Sequence, residues 1–314
     1  MAIRQIKSGR AAGPDNIPAE ALKADVRSCT DQIATLRIIV EQSIEWNSSL
    51  YINFIDYEKA FDSVDRTTLW KLLRHYDVPQ KIVNIIQSSY DGLHCKIVHR
   101  GQLIKSFEVK TGVRQGCLLS PFLFLLVIQW IMKTSTSEGK HGIQWTSRMQ
   151  LDDLDFADDL ALLSQTQQQM QEKTKSVAAV GLNIHKGKSR ILRYNTACTD
   201  PVTIDGEDLE DVKTFRYLGS IIDEQVGSDA NVKARIGKAR AAYQQLRNIW
   251  NSKQLSTNTK VRIFNTNVKT VLLYGAETWR TTKAIIQKIQ VLINSCLREI
   301  LQIRWPQTIS NNVL

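Results

Sequence analysis

LDDLDFADDLALLS, residues 151–164, sets the adjacent carboxylates Asp158 and Asp159 inside an otherwise apolar run. Two like charges so placed raise each other's cost of ionising unless a cation offsets them. A bound divalent metal would do so. The flanking segments are apolar-rich and of strand length, so residues 149–156 and 160–164 are expected to form a hairpin joined at Ala157-Asp158-Asp159, with its acids at the tip. Successive side chains of a strand point to opposite faces, so the two acids should not contribute equally. One would ligate directly and the other support it. Taken alone, the pair also fits an acidic surface turn, and Asp152-Asp153 lies only a few residues away.

A second acid stands where the first pair needs a partner. YINFID, residues 51–56, is a short β-rich run ending in Asp56, which places a carboxylate at a sheet edge. If the two strands are neighbours, the acids converge. Hard divalent ions take oxygen ligands from one or two carboxylates plus substrate phosphates, and a pair of such ions can serve in-line phosphoryl displacement.

Around these strands the pattern is mixed. Helices are expected over residues 31–46, 66–76, 80–90, 121–132 and 165–180, and strands over 190–194 and, as paired strands, over 95–99 and 105–109. Residues 8–25 read as a Gly/Pro turn followed by a helix that Pro18 starts. Residues 214–222 read as one arm of a further hairpin, and from Ala230 onward the pattern is helical over 232–250, 260–274 and 283–303. An α/β body is thus expected to give way to a basic helical bundle near Gly227. Trp250, Trp279 and Trp305 read as core anchors of that bundle.

Composition narrows the class. At 43% hydrophobic and 23% charged residues the chain is ordinary globular material, which argues against disorder. Residues 230–314 hold 14 Lys/Arg against Glu277 and Glu299, or +12 of the net +10, so the rest carries about −2. A basic C-terminal third beside an acidic centre suits a polyanion such as nucleic acid, although solvated helix faces give the same count. The five cysteines (Cys29, Cys95, Cys117, Cys198, Cys296) show no metal spacing and read as reduced, mostly buried thiols. MAIRQIKSGR lacks the apolar core of a signal peptide, and the longest apolar run, 118–132, is shorter than a bilayer span. An intracellular protein that makes no use of a membrane is expected.

INFIDYEKAFDSVDR (52–66), TGVRQGCLLSPFLFLLVI (111–128), LDDLDFADDLALLS (151–164), GLNIHKGKSRIL (181–192) and FRYLGSIID (215–223) stand in the order of reverse transcriptase core motifs. Together they closely resemble the enzyme of LINE-type, non-long-terminal-repeat retrotransposons, from Ser8 to about Asp223. VLLYGAETW (271–279) and CLREILQIRWP (296–306) resemble the region that follows the polymerase in such elements.

The resemblance implies an α+β fold. It consists of a right-hand polymerase palm, an antiparallel sheet with packed helices, over 51–226, after reduced fingers at 1–50 and before an all-α basic thumb at 227–314. It implies an RNA-directed DNA polymerase that uses two Mg²⁺ ions, with Mn²⁺ as a substitute, and whose partners are an RNA template, a DNA primer and deoxynucleoside triphosphates. Such an enzyme works in the nucleus or in a cytoplasmic ribonucleoprotein.

By position, Asp56 matches the first metal-binding aspartate, and Asp158 and Asp159 match the acidic pair of the palm hairpin. Phe61 matches the aromatic that crowds a ribose 2′-hydroxyl, Gln115-Gly116 the turn facing template and nucleotide, and Lys188 the lysine that assists the departing pyrophosphate. Without the resemblance, Phe61 reads as a core aromatic and Lys188 as a solvated cation. Relatives carry a long segment between a GPDNIPAEALK-like opening and an RSCTDQ-like stretch, whereas here ALKADV (21–26) runs directly into RSCTDQ (27–32). Shortened fingers and no endonuclease sequence are expected, as in a truncated element. The alternative is a nucleic-acid-binding remnant without catalysis.

Overall fold

The structure is a computed structural model that describes residues 28–103, 105–136, 142–146, 149–180, 182–224 and 227–303. The helix expected after Pro18, the junction at residues 26–27 and Trp305 lie outside them. The chain forms two compact units, one built on Ile39–Lys213 and the other on Ser28–Ile38 with the chain from Thr214 onward. Helix α1, Cys29–Glu45, is shared between them.

The first unit is organised on strand β1, Leu50–Ile55, which is buried at every position. Helices α2, Arg66–His75, and α3, Gln80–Tyr90, follow. Asp65 caps α2 by accepting from the Thr68 N–H at 2.6 Å, and hydrogen bonding from the Thr68 side chain, then from this N–H, holds its carboxyl below the usual range. Pro79, with no N–H to lose, precedes α3. Helix α4, Ser120–Thr136, is the expected apolar helix. After it come β2, Asp153–Phe156, β3, Asp159–Ser164, helix α5, Gln167–Val180, and strands β4, Arg190–Tyr194, and β5, Glu210–Asp211.

These strands form one sheet in the order β5-β4-β1-β3-β2, antiparallel except for β4 with β5. Tyr51 and Ile55 of β1 and Leu160 and Leu162 of β3 share a core with Leu123, Phe124 and Ile128 of α4 and Met170 and Val177 of α5. Helices therefore cover that face.

Three sequence expectations are modified in this unit. Residues 95–99 and 105–109 do not pair as whole strands. Cys95 pairs with Phe107, but Val98–His99 folds back on Gln102–Leu103 around Arg100 and Gly101, both at positive φ. Residues 149–156 are interrupted at Asp152, and Met149–Leu151 pairs with Ile143–Thr146 instead. Asp159 belongs to strand β3, so the linking turn is only Ala157-Asp158.

In the second unit, β6, Thr214–Tyr217, and β7, Ser220–Asp223, form a complete hairpin where one arm was expected. The hairpin groups with the helices, so the division falls at Lys213 rather than near Gly227. The reason is visible in its bonds. Arg235 donates to Gly219 O at 2.7 Å, Tyr274 to Leu218 O at 3.0 Å, and Asn231 accepts from the Ile221 N–H at 2.8 Å. The rest of the unit includes helices α6, Asp229–Gln245, α7, Thr257–Ile263, and α8, Lys283–Ile300.

Trp250 and Trp279 are buried, as expected of anchors. Residues 260–274 are not one α-helix, because Phe264–Lys269 winds as a π-helix whose Thr266 and Asn267 side chains bond the preceding Ile263 carbonyl. Of the five cysteines, all free, Cys296 alone is buried and Cys95 is exposed, which corrects the expectation of mostly buried thiols. Among the described residues no helix is long and apolar enough to cross a membrane.

Candidate active site

Asp56 follows β1 directly. The last pair between β1 and β3 is Ile55 with Leu160, so one residue further Asp56 comes abreast of Asp159, the first residue of β3. Both neighbours in sequence, Tyr57 and Leu160, belong to the helix-covered core. By alternation Asp56 and Asp159 therefore share the opposite face. Asp158 sits in the two-residue turn, after Ala157 at φ +55°. A left-handed alanine is uncommon, and this one forms the tightest part of the acid-bearing hairpin.

The electrostatics join the three acids. Desolvation, then the charges of Asp158 and Asp56, push the Asp159 carboxyl up to about 6. Lys188 offsets part of this charge, with Nζ at 3.8 Å from Asp56 Oδ2. The loop that carries Lys188 also holds the Asp56 backbone. His185 N–H donates to Asp56 O at 2.7 Å, and Asp56 N–H donates to Ser189 Oγ at 3.2 Å. Burial, with Asp153 and Asp155 nearby, pushes the Tyr57 phenol upward.

Phe61 is half-buried and stacks on Phe124 with ring centroids 4.7 Å apart. Gln115 and Gly116 are exposed in the turn before α4, and Gln115 Nε2 reaches Asp62 Oδ1 at 3.5 Å. That turn is seated against the segment holding Phe61. Gly112 N–H donates to Val64 O and Val113 N–H to Phe61 O, both at 2.8 Å. A Cβ on Gly112, at φ +79°, would lie 2.7 Å from the Asp62 backbone.

Arg66 was not singled out from sequence, yet it clamps this seat. Its guanidinium donates to Val109 O, Gly112 O and Thr111 O at 2.7, 2.9 and 2.9 Å, and lies 4.9 Å from the Tyr90 ring centre. Only its place one residue after the Asp65 cap hints at this.

The sequence matches the family described as reverse transcriptase (RNA-dependent DNA polymerase) over residues 18–222. The chain belongs to this family. A further match, to a domain of unknown function, covers residues 242–274.

Relatives of this reverse transcriptase chain include retrotransposon polyproteins. One is that of the type-2 element R2DM of Drosophila melanogaster, 32% identical over 166 residues, which are 51% of this chain and 15% of that protein. Another is that of the type-1 element R2 of Popillia japonica, 26% identical over 260 residues, 78% of this chain and 41% of that protein. The RNA-directed DNA polymerase from mobile element jockey of Drosophila funebris is 22% identical over 266 residues, 80% of this chain and 28% of that protein. The chain thus spans less than half the length of these three. Among solved structures, telomerase from Candida albicans with a fragment of telomeric RNA is similar at TM-score 0.44 and 13% identity, covering 96% of this chain and 50% of that one.

The family's polymerases use divalent metal ions. Among the described residues no three His, Cys, Asp or Glu side chains close on one point to hold an ion by themselves. The donor set nonetheless fits. Its oxygens suit a hard cation that takes one or two carboxylates and completes its shell with water and phosphate, and the Asp159 carboxyl, raised by burial and then by the charges of Asp158 and Asp56, is a group whose ionised form such a cation would favour.

Proposed function

We propose that the chain carries the polymerising centre of an RNA-directed DNA polymerase that extends a DNA primer on an RNA template. What supports this most is the placement of Asp56 and Asp159 on one face of the sheet, with Asp158 in the adjoining turn. In this reading Asp56, Asp158 and Asp159 hold two Mg²⁺ ions, which Mn²⁺ can replace. When bound, the ions supply charge neutralisation at the attacking and leaving oxygens.

The chain's own residues do the positioning. The primer 3′-oxygen forms the new bond to the α-phosphorus of a deoxynucleoside triphosphate, and pyrophosphate leaves. Lys188, close to Asp56, offers its ammonium to the departing group. Phe61, held by its stack on Phe124, crowds the sugar 2′ position. Gln115 and Gly116, in the turn seated by Arg66, face template and nucleotide. Lys and Arg of the second unit meet the phosphate backbone by contacts that ignore sequence.

A second reading, nucleic-acid binding without catalysis, is favoured by the +12 charge of residues 230–314. The test is incorporation of deoxy- and ribonucleotides on an RNA template with Mg²⁺, for the parent chain and for Phe61→Val. Deoxynucleotide incorporation by the parent, with ribonucleotides newly accepted by the variant, supports the first reading. Salt-sensitive RNA binding with no incorporation by either supports the second.

A further inference from the structure

Strands β1 and β3 are buried on both faces, LYINFI throughout and β3 from Leu160 to Ser164, and apart from Asn53 and Ser164 the buried side chains are apolar. Such strands do not choose their own register, because a slip of one residue still leaves apolar side chains on each side. The same slip would carry Asp159 to the face opposite Asp56. Something other than the hydrophobic pattern must therefore select the pairing that brings the acids together.

Two adjacent residues of α5 meet that need. Asn53, fully buried in the middle of β1, donates through Nδ2 to Thr174 Oγ1 at 2.9 Å. Lys173, only 1% exposed, donates through Nζ to Asp152 O and Leu163 O, both at 2.8 Å, and stands 3.1 Å from Asp152 Oδ1. The contacts fall on two adjacent rows across the sheet. Asn53 pairs with Leu162, Leu162 with Asp153, and Leu163 N–H donates to Asp152 O at 2.9 Å. One helix turn thus grips β1, β3 and Asp152 at the entry to β2, at adjacent levels.

A buried ammonium and a buried amide are costly unless paired, so a slipped register that withdrew their partners would be penalised. Buried polar groups that fix register at some expense of stability are a known device. We infer that Lys173 and Thr174 are positioning residues, a polar lock that selects the strand register placing Asp56 and Asp159 on one face. The inference rests on the polymerase reading only for the importance of those acids.

Two variants test it, Lys173→Met and the paired replacement Asn53→Leu with Thr174→Val. Cross-strand amide contacts of β1 and β3 are followed by NMR on deuterated protein, beside chemical unfolding. The parent should give one set of contacts, Asn53 with Leu162. The variants should unfold cooperatively yet show a second set displaced by one residue. If the chain polymerises, kcat should fall in proportion to the displaced population, while KM for the nucleotide stays within twofold. A single native register in the folded variants overturns the inference, and so does failure of both to fold, since the lock would then serve the fold rather than the choice of register. The contact pattern is read whether or not the chain extends a primer, so failure of the polymerase reading remains distinguishable.

Discussion

Lys188 Nζ stands 3.8 Å from Asp56 Oδ2, across a pair whose side chains are 61% and 44% exposed. A pair so open contributes about 0–1 kcal/mol to stability. Lys188→Ala is accordingly expected to leave the urea midpoint nearly unchanged while lowering the rate of extension at saturating nucleotide by about a hundredfold or more, in the range of a lost general acid. Equal losses of stability and rate would assign Lys188 to the fold.

The raised Asp159 carboxyl gives a signed pH dependence. Its value is about 6 in the folded chain against 3.8 as an ordinary aspartate. The folded state therefore binds this proton more tightly, and ionising Asp159 destabilises it as pH rises from about 4 through about 6. Above that window the penalty is constant. Asp159→Asn should unfold at higher urea than the parent at pH 7.5, with the gap closing as pH falls toward 4. Saturating Mg²⁺ should narrow the gap at pH 7.5. A variant less stable than the parent at neutral pH would contradict the electrostatic picture.

Gly112 and Gly116 both have positive φ, but their surroundings differ. A side chain at Gly116 meets open space, so Gly116→Ala carries only the left-handed strain, about 1–2 kcal/mol. At Gly112 the added Cβ also strikes the Asp62 backbone at 2.7 Å. Gly112→Ala should cost at least about 1 kcal/mol more than Gly116→Ala in chemical unfolding. Equal costs would mean that the 111–116 turn is not seated on the Phe61 segment.

Much of this arrangement was legible in the sequence. Alternation and turn residues located β1, the acid hairpin and β4, and Pro79 marked the start of α3. The hidden parts depend on contacts between segments far apart in the chain. Nothing in QEKTKS reveals that Lys173 is buried, because only its meeting with Asp152 and Leu163 makes burial tolerable. The hairpin at 214–223 read as one arm because its turn puts Leu218 at φ +46°, a conformation leucine does not advertise. The π-helix at Phe264–Lys269 leaves the apolar spacing of a helix almost unchanged, so periodicity missed it.

Arg66 separates charge from geometry. Three carbonyls receive its planar guanidinium, a fork that an ammonium cannot reproduce. Arg66→Lys is expected to lose about 1.5–3 kcal/mol, the scale of hydrogen bonds to a charged group, and to raise hydrogen exchange at Gly112 and Val113. Full rescue by lysine would show that the positive charge alone suffices.

In the proposed function Asp56 and the Asp158-Asp159 pair form one metal-dependent polymerising centre. Single-nucleotide extension of a primer on an RNA template, in Mg²⁺, tests it with the parent beside Asp56→Asn and Asp158→Asn. The expected result is incorporation by the parent, loss of at least about a thousandfold in each variant, and RNA binding unchanged in both. Incorporation by either variant at the parent's rate would contradict the claim.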